Sequence, residues 1–169
     1  FPLVCSSAAS DVFKRHLLLS NMFLEKGQEI VYMQGLHREK KGFKADGTGI
    51  LKDVRLTVVI NESSASSSEI FAGAIQDNDR GTIIGRRSFG KGLVQQQIGF
   101  TDGSMIRLTI ARYYTPSGRC IQKPYTMGGD REYEQDLITR YQHGEFFNQD
   151  SIKHTGPAYH TALGRTVYG

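Results

Sequence analysis

Val58-Val59-Ile60-Asn61-Glu62-Ser63-Ser64-Ala65-Ser66-Ser67-Ser68-Glu69-Ile70-Phe71-Ala72-Gly73-Ala74-Ile75 carries the turn on which the fold depends. The apolar run from Leu56 to Ile60 reads as a strand, whereas Ile70, Phe71, Ala74 and Ile75 recur at helical spacing, so the chain passes from strand to helix across the serines. Within that passage Ser66-x-x-Glu69 matches a capping box, in which the hydroxyl accepts from an orphan backbone donor and the carboxylate reaches back. Capping is the plain structural account of the pair. The same geometry also has a chemical use: a hydroxyl at a helix N-terminus stands beside unpaired N–H groups and the positive end of the dipole, which together stabilise an oxyanion.

A serine hydroxyl is a weak nucleophile near neutral pH and needs an adjacent base. His16, His37, His143, His154 and His160 are scattered, and no aspartate beside them gives a pattern that reads as a triad. Lysine takes that role where burial favours the neutral amine. Lys91 is the candidate, because Gly90 and Gly92 permit a tight turn and Phe89 and Leu93 are placed to wall the amine from water. A loop lysine taken alone is more often solvated, so spacing leaves both readings open.

Asn61 to Asn78, the turn Phe89-Gly90-Lys91-Gly92, and Arg112-Tyr113-Tyr114-Thr115-Pro116-Ser117-Gly118-Arg119 resemble, in order, successive landmarks of the carboxyl-terminal processing (tail-specific) proteases. The resemblance is continuous over roughly residues 23 to 122 and continues into the C-terminal part, which makes it more specific than any short motif. It implies an α/β fold, the ClpP/crotonase-like spiral core of such a protease, cut short at both ends, with residues 1–169 forming part of one core domain. It implies a serine endopeptidase that cleaves proteins near their C-termini, with Ser66 as nucleophile, Lys91 as general base and Gln95 holding the lysine amine. Glu69 matches a supporting glutamate, and the Ser67 backbone amide becomes one oxyanion donor. The partners implied are unfolded or C-terminal peptide segments, with a homo-oligomer left open, and the chemistry needs no metal or organic cofactor.

The chain departs from the family before the Met22-Phe23-Leu24 landmark. There the family carries an Asp-Leu-Arg-x-Asn-x-Gly-Gly loop that supplies the second oxyanion amide, and this sequence has Val4-Cys5-Ser6-Ser7-Ala8-Ala9-Ser10-Asp11 instead. The amides of Ser10 or Asp11 are the available substitutes, without glycine's conformational freedom. Loss of one oxyanion donor typically costs about 100- to 1,000-fold in turnover. A catalytically impaired peptide-binding module of the same fold is therefore the alternative to an active protease.

With 169 residues, 38% hydrophobic content and 22% charge, the chain has the composition of one domain with a substantial core. Phe1 to Cys5 is too short for a secretory core segment, and no run of 18 apolar residues stands ready to span a membrane. The compartment implied by the resemblance is the bacterial periplasm or cell envelope. Cys5 and Cys120 suggest neither a metal site nor a disulfide framework.

A formal charge of +4 raises nucleic acid as a partner. Arg38, Lys40, Lys41 and Lys44 are interrupted by Glu39 and read as a solvated polar loop before Asp46-Gly47 rather than a phosphate-tracking patch. Gly85 to Lys91 satisfies a phosphate-loop pattern until Gly92 stands where serine or threonine is required, and the residues after it do not open a helix. Neither feature supports a nucleic-acid or nucleotide partner.

The remaining pattern predicts a helix over residues 12–24, an alternating strand from Glu29 to Gln34, and strands at Thr82–Ile84 and Leu93–Ile98. Ile106, Leu108 and Ile110 alternate with polar neighbours as in a half-exposed strand, with Asp102-Gly103 as the hairpin turn before it. Thr115-Pro116-Ser117-Gly118 suits a β-turn, and Glu132 to Tyr141 suits a helix with a solvated charged face.

Overall fold

The computed structural model describes residues 13–126, 128–148 and 156–169. The strand-to-helix passage is the centre of the architecture. Strand β3 (Thr57–Ile60) leads through the serines into helix α2 (Ser67–Asp77), which returns to β4 (Thr82–Gly85), and β3 and β4 pair in parallel from Thr57↔Thr82 to Ile60↔Gly85. This is a strand–helix–strand crossover, the connection that parallel strands require.

The second layer is a four-stranded antiparallel sheet. Its order is β2 (Arg38–Lys44), β1 (Glu29–Gly35), β6 (Met105–Tyr114), β5 (Leu93–Gly99). Helix α1 covers residues 13–21, α3 (Asp130–Gln142) follows the sheet, and β7 (Ala158–His160) pairs with β8 (Thr166–Tyr168) as a separate hairpin. Leu24, Ile30, Val31, Ala45, Ile70, Ala74 and Ile75 form the core between α2 and β1, with Phe13, Phe23, Phe43, Phe71 and Tyr113 packed around it. Each large apolar side chain fully buried there contributes about 1.5–3 kcal/mol.

Three expectations change. Residues 38–44 form an edge strand on β1 rather than a loop, because the polar backbone of this stretch finds a ready ladder there. Its lysines then suit an exposed edge that should not recruit another strand. Strand β1 does not alternate: Ile30, Val31 and Tyr32 are buried in succession because this inner strand is flanked by β2 and β6 and covered by α2. In β6, residues 105–109 are exposed on both faces, and only the half nearer Tyr114 is packed. The hairpin turn falls as expected, with Gly103 at φ 87° and the Phe100 amide donating to Ser104. The Gly118 amide closes the 115–118 turn on the Thr115 carbonyl.

Helix α2 is seated at its far end by a buried ion pair. Asp77 accepts from Arg119 at 2.7 Å and from the Ser117 amide at 3.0 Å, so the Thr115–Arg119 landmark locks the helix C-terminus. The β7–β8 hairpin docks on the same end through the Ala162 amide to the Asp77 carbonyl and through Arg165 and the Leu163 amide to the Asp79 carboxylate. No helix among the described residues is long and apolar enough to cross a membrane.

Candidate active site

Ser66 is the N-cap of α2, with φ 59° and ψ −117°, one of only two non-glycine residues of positive φ among those described. Such a conformation costs a non-glycine residue about 1–3 kcal/mol and persists only where its surroundings enforce it. Here they do. The Ser66 amide donates to Glu69 Oε2 at 2.8 Å, and the Ser66 carbonyl accepts the Glu69 and Ile70 amides. The carboxylate arm of the expected capping box is therefore formed. The Ser66 side chain is exposed, and Ser67, buried, contributes the first amide of the helix, one of the donors that have no partner within it.

The buried Glu69 carboxylate has a second task. Its Oε1 accepts the Gly90 amide at 2.6 Å, and its Oε2 accepts the Lys91 amide at 2.8 Å. One carboxylate oxygen thus holds the backbone N–H of both Ser66 and Lys91. The two loops are laced together along their length, through Arg86 to the Ile60 carbonyl, Arg86 to the Glu62 carboxylate, and the Phe89 amide to the Ser64 carbonyl. The Arg86 guanidinium holds the Glu62 carboxyl below its ordinary range.

Both glycines beside the lysine are required by space, and Gly90 by conformation as well. Gly90 has φ 88°, and a Cβ there would stand 2.8 Å from Lys123 Cβ; at Gly92 it would stand 2.7 Å from Ile121 Cβ and 2.8 Å from the Gln122 amide nitrogen. The expected wall around Lys91 is absent, however. Lys91 is exposed, and the Phe89 ring faces the Lys123 ammonium at 4.5 Å instead. The glycine turn is held by its backbone, which leaves the lysine side chain pointing out from the packed segment.

Gln95 lies on β5 where the pairing with β6 slips between Val94↔Ala111 and Gln95↔Thr109. A bulge of this kind re-aims side chains. Gln95 is exposed, and among the described residues no hydrogen bond joins it to Lys91. The Glu69 carboxylate therefore brings the backbones of Ser66 and Lys91 together, and Gln95 is left on the adjoining strand. Ser10, Asp11 and the loop at residues 4–11 lie outside the described residues. After Lys91 comes a strand, so the phosphate-loop pattern lacks the helix N-terminus it would need.

A cleft of about 950 Å³ lies behind the lysine turn, lined among others by Glu69, Gly73, Gly90, Gln122, Tyr133 and Arg140. Ser66, Lys91 and Gln95 are not in its walls, and Glu69 and Gly90 connect it to them. Gln122, Lys123 and Arg140, which hold the turn from this side, were not singled out by sequence pattern. The only hint is Gln122 standing just beyond the Arg112–Arg119 landmark.

Comparisons with known proteins give the family. The model of peptidase family S41 matches residues 13–130. The chain is 42% identical over 110 residues to a carboxyl-terminal-processing protease of Synechocystis sp., covering 65% of this chain and 25% of that protein. It is 38% identical over 112 residues to a chloroplastic C-terminal processing peptidase of Tetradesmus obliquus, covering 66% and 24%. It thus spans about a quarter of the length of these relatives. A solved photosystem II D1 C-terminal processing protease aligns with a TM-score of 0.62 at 37% identity over 65% of this chain and 28% of that one. A lipoprotein of Streptococcus agalactiae shares the fold alone, with a TM-score of 0.53 at 16% identity over 76% and 50%. With the strained serine turn, the laced lysine loop and a family match from α1 through the sheet to the start of α3, the chain belongs to peptidase family S41.

Proposed function

We propose that this chain is the core segment of a carboxyl-terminal processing serine endopeptidase, with Ser66 as nucleophile, Lys91 as general base, Gln95 aiming the lysine, Glu69 in support and the Ser67 amide as one oxyanion donor. The observation that carries the reading is the backbone of Ser66 at φ 59°, ψ −117° on the turn from strand to helix. Capping does not need that conformation, since N-cap residues ordinarily lie in the β region. A serine held on a sharp, strained strand-to-helix turn is the arrangement of a nucleophile elbow. The shared Glu69 oxygen supports the pairing with Lys91.

On this reading the Lys91 amine takes the Oγ proton as Ser66 attacks the scissile carbonyl. The C–N bond of the tetrahedral intermediate then breaks, and the lysine passes its proton to the leaving amine. Water, deprotonated by Lys91, opens the acyl-enzyme ester and regenerates Ser66. The substrates are unfolded or C-terminal segments of proteins. The setting proposed is the bacterial periplasm or cell envelope; the relatives include bacterial proteins and a chloroplastic one.

The test is hydrolysis of an unstructured peptide with an apolar C-terminus by the full-length protein. Ser66→Ala and Lys91→Ala are each expected to lower kcat by at least roughly a thousandfold with the fold retained. Turnover by folded Lys91→Ala at the unsubstituted rate refutes the assignment of the base. The glycine-free Val4–Asp11 sequence favours a second reading, a peptide-binding module of the same fold. Peptide binding without hydrolysis, with cleavage restored by glycines at Ser10 and Asp11, selects it.

A further inference from the structure

We infer that Gln122 is a positioning residue for the lysine turn, a role that rests on the reading of Lys91 as general base. Gln122 is only 6% exposed, and its amide is engaged at both ends. Oε1 accepts the Gly92 amide at 3.0 Å, while Nε2 donates to the Tyr133 hydroxyl at 3.0 Å and to the Lys123 carbonyl at 3.2 Å. The three successive amides of Gly90, Lys91 and Gly92 therefore all donate to buried side chains, two to Glu69 and one to Gln122.

The carbonyls of the turn are fixed by the main chain on the same side. Gly90 accepts the Lys123 amide at 2.9 Å, and Gly92 accepts the Tyr113 amide at 2.7 Å. Lys91 thus projects from a segment gripped between Glu69 and Gln122. Losing the Gln122 acceptor leaves a buried N–H unsatisfied next to the lysine Cα and frees that side of the turn to move. A misplacement of about 1 Å at a reacting group is enough to lower a rate roughly 100-fold.

The far end of this brace lies in α3, which begins where the family match ends, at residue 130. Tyr133 of α3 meets Gln122. The Lys123 ammonium donates to the Tyr133 carbonyl at 2.9 Å and to the Asp136 carboxylate at 3.2 Å. Arg140, 4% exposed, donates to the Arg87 and Ser88 carbonyls at 2.6 and 3.1 Å, just before the turn. The helix outside the matched region therefore backs the lysine turn through Gln122, Lys123 and Arg140.

The experiment measures kcat and KM for peptide hydrolysis by the full-length protein. Gln122→Met keeps the length of the side chain and loses its acceptor, and Gln122→Glu keeps an acceptor for Gly92 and lets the Tyr133 hydroxyl turn to donate, giving up only the 3.2 Å bond to the Lys123 carbonyl. Gln122→Met is expected to lower kcat by about ten- to a hundredfold with KM within about twofold, and Gln122→Glu to recover most of the loss. A merely structural glutamine would lower the unfolding midpoint and leave kcat of the folded protein unchanged. If Gln122→Met retains kcat while Lys91→Ala is inactive, the inference is overturned and the role of Lys91 stands; turnover by Lys91→Ala, or none by the unsubstituted protein, overturns both. If Gln122→Met fails to fold, Tyr133→Phe removes only the far end of the brace. It is expected to lower kcat several-fold at constant KM, and an unchanged kcat overturns the inference.

Discussion

At Ser66 conformational strain and chemistry are separable by substitution. Ser66→Ala and Ser66→Gly both remove the hydroxyl, and only glycine adopts φ 59° without a Cβ penalty. The penalty is roughly 1–3 kcal/mol, partly offset by glycine's larger entropy when unfolded, so the glycine variant is expected to be about 1 kcal/mol more stable than the alanine variant. Urea unfolding of the two measures the difference, and equal midpoints would show that the turn stores no strain. Glu69→Gln makes a second residue-scale prediction. Three N–H groups converge on the two Glu69 oxygens, and a carboxamide faces at least one of them with its own donor. The expected loss is about 1–3 kcal/mol, read from the same denaturation curves. Ser66 and Glu69 were legible in the sequence because their relation is local, three residues apart on one helix turn. The glycine-framed turn marked Lys91 as a candidate, but spacing left it open and only the family resemblance linked it to Ser66, since its tie to Glu69 spans 22 residues. Gln122 had only its place just beyond the Arg112–Arg119 landmark to mark it, because its partner is 30 residues away and meets it only after β5 and β6 have paired.

The elements that periodicity revealed are those whose burial is one-sided and local. Helix α2 and strand β3 came from the apolar spacing around the serines, β4 from the run Thr82–Ile84, and α3 from its charged face. Strand β2 escaped because all but Phe43 of its residues are exposed, so no apolar period marks it and only the neighbouring β1 makes it a strand. The three-residue strands β7 and β8 escaped for the same reason, being held by Asp77, Asp79 and Arg165 rather than by a core of their own. How α2 is seated gives an element-scale prediction. Arg119→Ala would leave the Asp77 carboxylate, whose side chain is fully buried, without its cation. That is expected to cost about 3–5 kcal/mol. Lys52→Ala loses the 3.5 Å pair with the exposed Glu25 and one hydrogen bond to the Gly47 carbonyl, strands no buried charge, and is expected to cost about 1–2 kcal/mol. Similar unfolding midpoints for the two variants would mean that Arg119 does not anchor the helix.

Across the whole molecule, the charged groups set a pH window for stability. The Thr48 amide and hydroxyl hold the Asp46 carboxyl below its ordinary range, the Arg86 guanidinium does so for Glu62, and the Ser104 hydroxyl and amide do so for Asp102. Burial pushes the Asp79 carboxyl up, but the Leu163 amide, the Thr161 hydroxyl and Arg165 outweigh it and leave it lowered. A carboxyl whose folded pKa is depressed contributes stability that is present above its unfolded value of about 4 and lost as the pH falls through the folded value. Tyrosines act at the other limit. Burial raises Tyr32, Tyr113 and Tyr114, so their contribution is present below the unfolded value of about 10 and is lost as the pH rises through the folded one. The unfolding midpoint is therefore expected to be level between about pH 5 and 9, to fall below about pH 4 and to fall again above about pH 10. Asp79→Asn should flatten the acid limb, because asparagine neither titrates nor pairs with Arg165 in either state. It should leave the alkaline limb in place, because the tyrosines that set it lie on other elements. Thermal unfolding of both proteins across the range decides the matter: an acid limb equally steep in Asp79→Asn removes Asp79 from the set, and a midpoint that rises on acidification contradicts the sign for all four carboxyls.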